Sequence, residues 1–148
     1  MRRINRIIVH HTASPSTTTV DEIRRWHTAP APAGRGWSDI GYHLVVREGP
    51  GGIWLVEAGR PVDRPGAHDE GQNADSIGVV LAGDYTRSKV PPAAWEVLIG
   101  VVVGLSRQYG LDASDVEGHC EHESGRGTAC PGFESAALRR RVAAALAA

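Results

Sequence analysis

The chain has 148 residues, 41% of them hydrophobic and 22% charged, with 16 Lys and Arg against 17 Asp and Glu for a formal charge of -1. That length predicts a single domain, residues 1-148, at roughly 150 residues per domain, and the composition excludes an intrinsically disordered chain. The charge balance excludes the broad basic surface of a nucleic-acid binder, whereas seven His and two Cys supply side chains that bind transition metals near neutral pH.

In chain order, Arg6 to His10 reads as a β-branched apolar strand, so that His10 and His11 sit at a strand end ahead of the Ser/Thr/Pro loop Thr12 to Thr19. Thr19 and Glu22 fit a capping box, and Val20, Ile23, Trp26 and His27 then recur at helical spacing, predicting a helix over 20-28. A Pro- and Gly-broken loop leads to Trp37-Ser38-Asp39-Ile40-Gly41. Tyr42 to Arg47 and Ile53 to Glu57 then form a predicted hairpin across the turn residues 48-52. Residues 58-75 have no sustained period and many Gly, Pro, Asp and His, which predicts a long functional loop. Ser76 to Ala82 restores strand character. Pro91-Pro92 opens, and Gly110 closes, a helix carrying Trp95, Leu98, Ile99, Val102, Leu105 and Tyr109 on one face. Val116 to His119 is a short strand, and Phe133 to Ala147 is the final helix, with Leu138, Val142 and Leu146 four residues apart. The expected fold class is α/β, a single domain with a mixed central β-sheet flanked by helices.

The apolar run Ile7-Ile8-Val9 is shorter than the 7 to 15 residues, roughly, of a signal peptide. Val97 to Leu105 falls well below the roughly 20 residues that span a bilayer. The expectation is a product made in the cytoplasm, with no membrane insertion and with Cys120 and Cys130 reduced rather than bridged.

His10 at the end of the first strand, His119 at the end of a later one and Cys130 in the following loop are candidate metal ligands, because two imidazoles and a thiolate suit zinc. They have no fixed separation, so by spacing alone a surface or core role stays open for each. Rival motifs fail. His122-Glu123 lacks the second His of a zincin helix. His119-Cys120-Glu121 matches half of a nucleobase-deaminase site, but no second Cys follows Cys130. Neither a G-x-S-x-G serine-hydrolase elbow nor a Walker-type phosphate loop occurs.

The segments IIVHHTAS, EIRRWHT, GWSDIGYHLVV, VEAGRPVDRPGAHDEGQNADSIGVVLAGDY and GHCEHESGRGTACPGF together resemble, in this order, the motifs of type 2 zinc-dependent N-acetylmuramoyl-L-alanine amidases and peptidoglycan recognition proteins. The resemblance covers residues 4 to about 145. It implies a Zn2+ cofactor held by His10, His119 and Cys130; His122 is the alternative to His119 if the loop before Cys130 is aligned at the shorter length of some relatives. It also implies Tyr42 and Thr128 as catalytic groups, Tyr42 orienting or deprotonating water and Thr128 donating to the oxyanion.

Trp37, His68 and Asn73 become candidate substrate-binding residues, each with a packing or structural hydrogen-bonding alternative. His27 and His43 are read as packed histidines, and Cys120 as a packing or exposed thiol. The implied activity is hydrolysis of the lactyl-amide bond between N-acetylmuramic acid and L-alanine in peptidoglycan. A monomeric phage endolysin is expected, with no separate wall-binding domain, reaching the wall after the host membrane is permeabilised. The alternative is a non-catalytic peptidoglycan-binding module on the same fold, and a thiolate ligand at Cys130 separates the two.

Overall fold

The computed structural model describes residues 2-148; Met1, where the signal-peptide and single-domain readings begin, lies outside the described residues. Five strands form one mixed sheet. β1 (Arg6–His11), β2 (Leu44–Glu48), β3 (Trp54–Ala58), β4 (Ser76–Leu81) and β5 (Val116–Gly118) lie in the order β3-β2-β4-β1-β5. The β2/β3 hairpin is antiparallel, and every other pairing is parallel. Three helices, α1 (Val20–Thr28), α2 (Pro92–Tyr109) and α3 (Ser135–Ala147), cover the two faces. This is the mixed α/β arrangement that the alternating elements predict.

Both faces of the centre of the sheet are covered, which explains why β1 and β4 read as continuous apolar runs rather than alternating ones. Ile7, Ile8, Val9, Ile77, Val79, Val80 and Leu81 are fully buried. Each such side chain contributes about 1.5 to 3 kcal/mol by leaving water. On one face Val9, Val46, Val79 and Leu81 pack with Leu98 and Val102 of α2 and with Leu138 and Val142 of α3. On the other, Val45 and Val80 pack with Val20 and Ile23 of α1 and with Ile40. The period of two along β1 therefore sends His10 and His11 to opposite faces.

Local capping works as the sequence predicts. The Thr19 hydroxyl accepts from the Glu22 amide, Glu22 accepts from the Thr19 amide, and α2 stops at Gly110 in the left-handed region. Some boundaries shift. β2 starts at Leu44, so Tyr42 and His43 precede the hairpin rather than belonging to it. β5 ends at Gly118, and His119 opens a short 3-10 turn. α3 starts at Ser135 because Phe133 is spent on packing, its ring edge-on to Trp95 at 5.4 Å and near Tyr85. No helix among the described residues is long and apolar enough to cross a membrane.

Candidate metal centre

β1 and β5 run parallel with Val9 opposite Gly118, so the next residues, His10 and His119, leave adjacent carboxyl ends of the sheet. Their ring centroids are 4.7 Å apart. Cys130 joins them because the Cys120 amide donates to the Cys130 carbonyl at 2.7 Å, tying the returning loop to the end of β5. Gly132 lets that loop come close. Its φ is +85°, and a Cβ there would lie 2.8 Å from the Tyr85 carbonyl carbon and 3.1 Å from the His11 ring.

One donor atom each from His10, His119 and Cys130 falls within a mutual 4.8 Å. The His10 Nδ1 to Cys130 Sγ distance is 3.7 Å. Tetrahedral zinc with its usual Zn–N and Zn–S bonds separates such atoms by about 3.6 Å, so this pair already has the spacing of a zinc edge. Burial, reinforced by the neighbouring imidazoles of His68 and His119, holds His10 well below its ordinary pKa, and burial also lowers His119. Both imidazoles are therefore neutral, as ligands must be. Burial pushes the Cys130 thiol up to about 11, so a metal binding here has to displace its proton.

The orientation of His10 has its own support. Its Nε2 lies 2.9 Å from His68 Nδ1, and His68 Nε2 lies 3.2 Å from Ser76 Oγ. A chain in which each imidazole donates from Nε2 leaves the His10 Nδ1 lone pair facing Cys130. Gly78 makes room for this: a Cβ there would stand 2.6 Å from the His68 ring. His68 borders the cavity with both ring nitrogens engaged within the protein, Nδ1 by His10 and Nε2 by Ser76. Asn73 also borders the cavity, yet its Oδ1 accepts from the His68 and Asp69 amides and shapes the loop.

A cavity of about 530 Å³ opens over the cluster. Tyr42 stands at its wall, 5.1 Å from the His10 ring, with burial and the nearby Cys130 raising its phenol pKa and keeping it protonated at neutral pH. Trp37 borders the same space, edge-on to His27 at 4.8 Å and with the Arg35 guanidinium 5.0 Å above its ring. Thr128 lies at the rim, but its hydroxyl donates to the Gly125 carbonyl at 2.7 Å. In this arrangement that hydroxyl hydrogen closes the turn.

Sequence reasoning missed three residues. His27, read as packed, lines the cavity and accepts from the Gly41 amide through Nδ1. Arg35 brings a cation to the wall and could be suspected only as a lone charge in a Pro/Gly loop. Asp69 is a wholly buried carboxylate beside His119 and His122, with no local sequence signal. His122, the alternative ligand, stands outside the convergent group, its Nδ1 on Asp69 and its Nε2 on Glu117. Cys120 is exposed and free.

His43 is a satisfied buried imidazole that accepts from the Gly78 amide through Nδ1 and donates from Nε2 to the Arg64 carbonyl. Burial holds it down to about 4, whereas an unfolded His titrates near 6.5. Between those values the unfolded chain binds more protons. The contribution is thus fully present above pH 6.5 and is lost as pH falls towards 4, at on the order of 1 kcal/mol per pH unit. In chelator-treated protein the urea midpoint should drop between pH 7 and pH 4.5; a flat midpoint would refute this account.

The family model for N-acetylmuramoyl-L-alanine amidase (Amidase_2) matches residues 1–133. The endolysin of Escherichia phage T7 is 34% identical over 136 residues, covering 86% of this chain and 80% of that protein. Peptidoglycan-recognition protein LB of Drosophila melanogaster is 32% identical over 139 residues, covering 85% of this chain and 53% of its own length. Among solved structures, the N-acetylmuramoyl-L-alanine amidase LysC from Clostridium intestinale superposes with a TM-score of 0.80 at 29% identity, covering 95% of this chain and 86% of that one. On a match that runs through nearly every element of the fold, this chain belongs to the type 2 N-acetylmuramoyl-L-alanine amidase family, the superfamily that includes the peptidoglycan recognition proteins.

Proposed function

We propose that the protein is a zinc-dependent N-acetylmuramoyl-L-alanine amidase that hydrolyses the lactyl-amide bond of peptidoglycan, acting as a phage endolysin once the host membrane is permeabilised. The observation that carries this reading is the convergence of His10, His119 and Cys130 under a cavity walled by Tyr42. Two neutral imidazoles and one thiol form a three-ligand set of the kind that leaves a fourth position open for chemistry, rather than a closed structural site. When bound, zinc supplies Lewis-acid polarisation of an amide carbonyl and acidifies water to a pKa near about 7.

The remaining work falls to the chain. Tyr42, kept as a phenol by burial, donates a hydrogen bond to the oxygen on which charge develops. Trp37 and His27 form an aromatic wall for the muropeptide, and Arg35 sets a positive charge beside it. Thr128 closes the rim turn through Gly125. The rival reading, a binding module that does not cleave, is disfavoured by Cys130 standing in ligand position.

Purified protein is expected to hold one zinc per chain and to release the free amino group of L-alanine from peptidoglycan. Full activity after complete removal of metal would refute the proposal.

A further inference from the structure

Asp69, from the loop before β4, gathers Ser124, His122 and Glu117 into a polar cluster beside His119. Asp69 is 1% exposed, and its backbone is pinned by the Asn73 side chain, which accepts from the Asp69 amide at 2.9 Å. The Ser124 hydroxyl donates to Asp69 Oδ1 and lies 3.0 Å from His119 Nε2. Asp69 Oδ1 is itself 3.8 Å from that nitrogen. The other carboxylate oxygen faces His122 Nδ1, and His122 Nε2 faces Glu117.

Hydrogen-bond direction then decides the imidazole chemistry. A serine hydroxyl has one hydrogen, and Asp69 takes it, so towards His119 the oxygen can only accept. His119 must therefore carry its proton on Nε2, which leaves the lone pair on Nδ1. His122 is in the opposite situation. Both of its nitrogens are turned to carboxylates, Nδ1 to Asp69 and Nε2 to Glu117, so neither is aimed at the His10, His119 and Cys130 donors.

We propose that Asp69 is the positioning residue of the metal centre, acting through Ser124 to fix the metal-binding tautomer of His119 while holding His122 away from the ligand set. This rests on the zinc reading above. The buried carboxylate explains why two histidines three positions apart, in one loop, take different roles. It also gives Ser124, an exposed loop residue, a defined function as relay.

The test compares zinc affinity by chelator competition, the visible spectrum of the cobalt-loaded protein and the melting temperature of the metal-free protein. Ser124→Ala is expected to weaken zinc binding about tenfold, and Asp69→Asn by about 10- to 100-fold, the usual cost of losing an outer hydrogen-bond partner of a ligand. Ser124→Thr, which keeps the hydroxyl, should restore affinity. Ser124→Ala should leave metal-free melting unchanged but shift the cobalt ligand-field bands, with sulfur-to-metal absorption from Cys130 retained. His122→Ala should largely spare zinc binding.

The proposal is overturned if Ser124→Ala binds zinc like the wild type, if its loss is matched by lower metal-free melting and not rescued by threonine, or if His122→Ala abolishes zinc binding. Because Ser124 is exposed, this holds even if Asp69→Asn fails to fold. A wild-type protein that takes up no zinc instead refutes the underlying metal reading, a distinct outcome.

Discussion

Cys130→Ala is expected to lose bound zinc and to reduce lactyl-amide cleavage to less than about a thousandth of the wild-type rate, a loss of only about 4 kcal/mol in transition-state stabilisation. The thiol is the one donor of the three that becomes anionic on binding, and its sulfur lies 3.7 Å from His10 Nδ1. Without it two neutral imidazoles remain, and they cannot offset the charge of a divalent ion. The fold itself should tolerate the change. Cys130 sits on a loop after the last strand, and its burial holds the thiol up to about 11, so the metal-free wild type buries a neutral group there too. Metal-free melting should therefore shift by no more than the cost of a small cavity, about 1 kcal/mol. Muropeptide binding should persist in the variant. Cleavage near the wild-type rate by Cys130→Ala would remove the metal mechanism.

The second large effect is expected at Tyr42. Tyr42→Phe keeps the ring that packs against His10 and His27 and removes only the hydroxyl. If the phenol donates to developing negative charge, kcat falls about 10² to 10³-fold, the usual cost of one oxyanion donor, while KM and zinc content stay close to wild type. Thr128→Val provides the contrast. Because the Thr128 hydroxyl is committed to the Gly125 carbonyl, its loss should cost only a few-fold, at the level of one ordinary hydrogen bond. Steady-state kinetics on a defined muropeptide measure both. A Tyr42→Phe kcat within a factor of three of wild type would exclude the donor role.

How much of this was legible beforehand depends on the range of the interaction involved. Thr19 and Glu22 announced the start of α1 because a capping box closes within four residues, and Gly110 announced the end of α2 because a left-handed cap needs glycine. Phe133 was misread as helical because its partners, Trp95 and Tyr85, lie in other elements. The His/Cys surplus and the ordered motifs pointed to a metal and a family. They favour His119 and keep His122 as the alternative, since both follow the same short strand.

His68 illustrates the same limit from another side. As a sequence feature it was a histidine in a loop, open to substrate binding or to structural bonding. In the fold it lies over Gly78 and its Nδ1 meets His10, a contact spanning 58 positions of the chain. Thr128 is the converse: its motif position implies catalysis, and in the fold its hydroxyl donates locally to the Gly125 carbonyl.

The sequence by itself determined the elements, their amphipathic faces and the identity of the residues able to bind a metal, because periodicity, caps and donor chemistry are properties of single residues and near neighbours. Only the tertiary structure decided which donors meet. The parallel pairing of β1 with β5 sets His10 beside His119, and one ring nitrogen of each is engaged by another side chain, Nε2 of His10 by His68 and Nε2 of His119 by Ser124. Those contacts depend on side-chain direction across distant segments, and no local pattern in the chain encodes it.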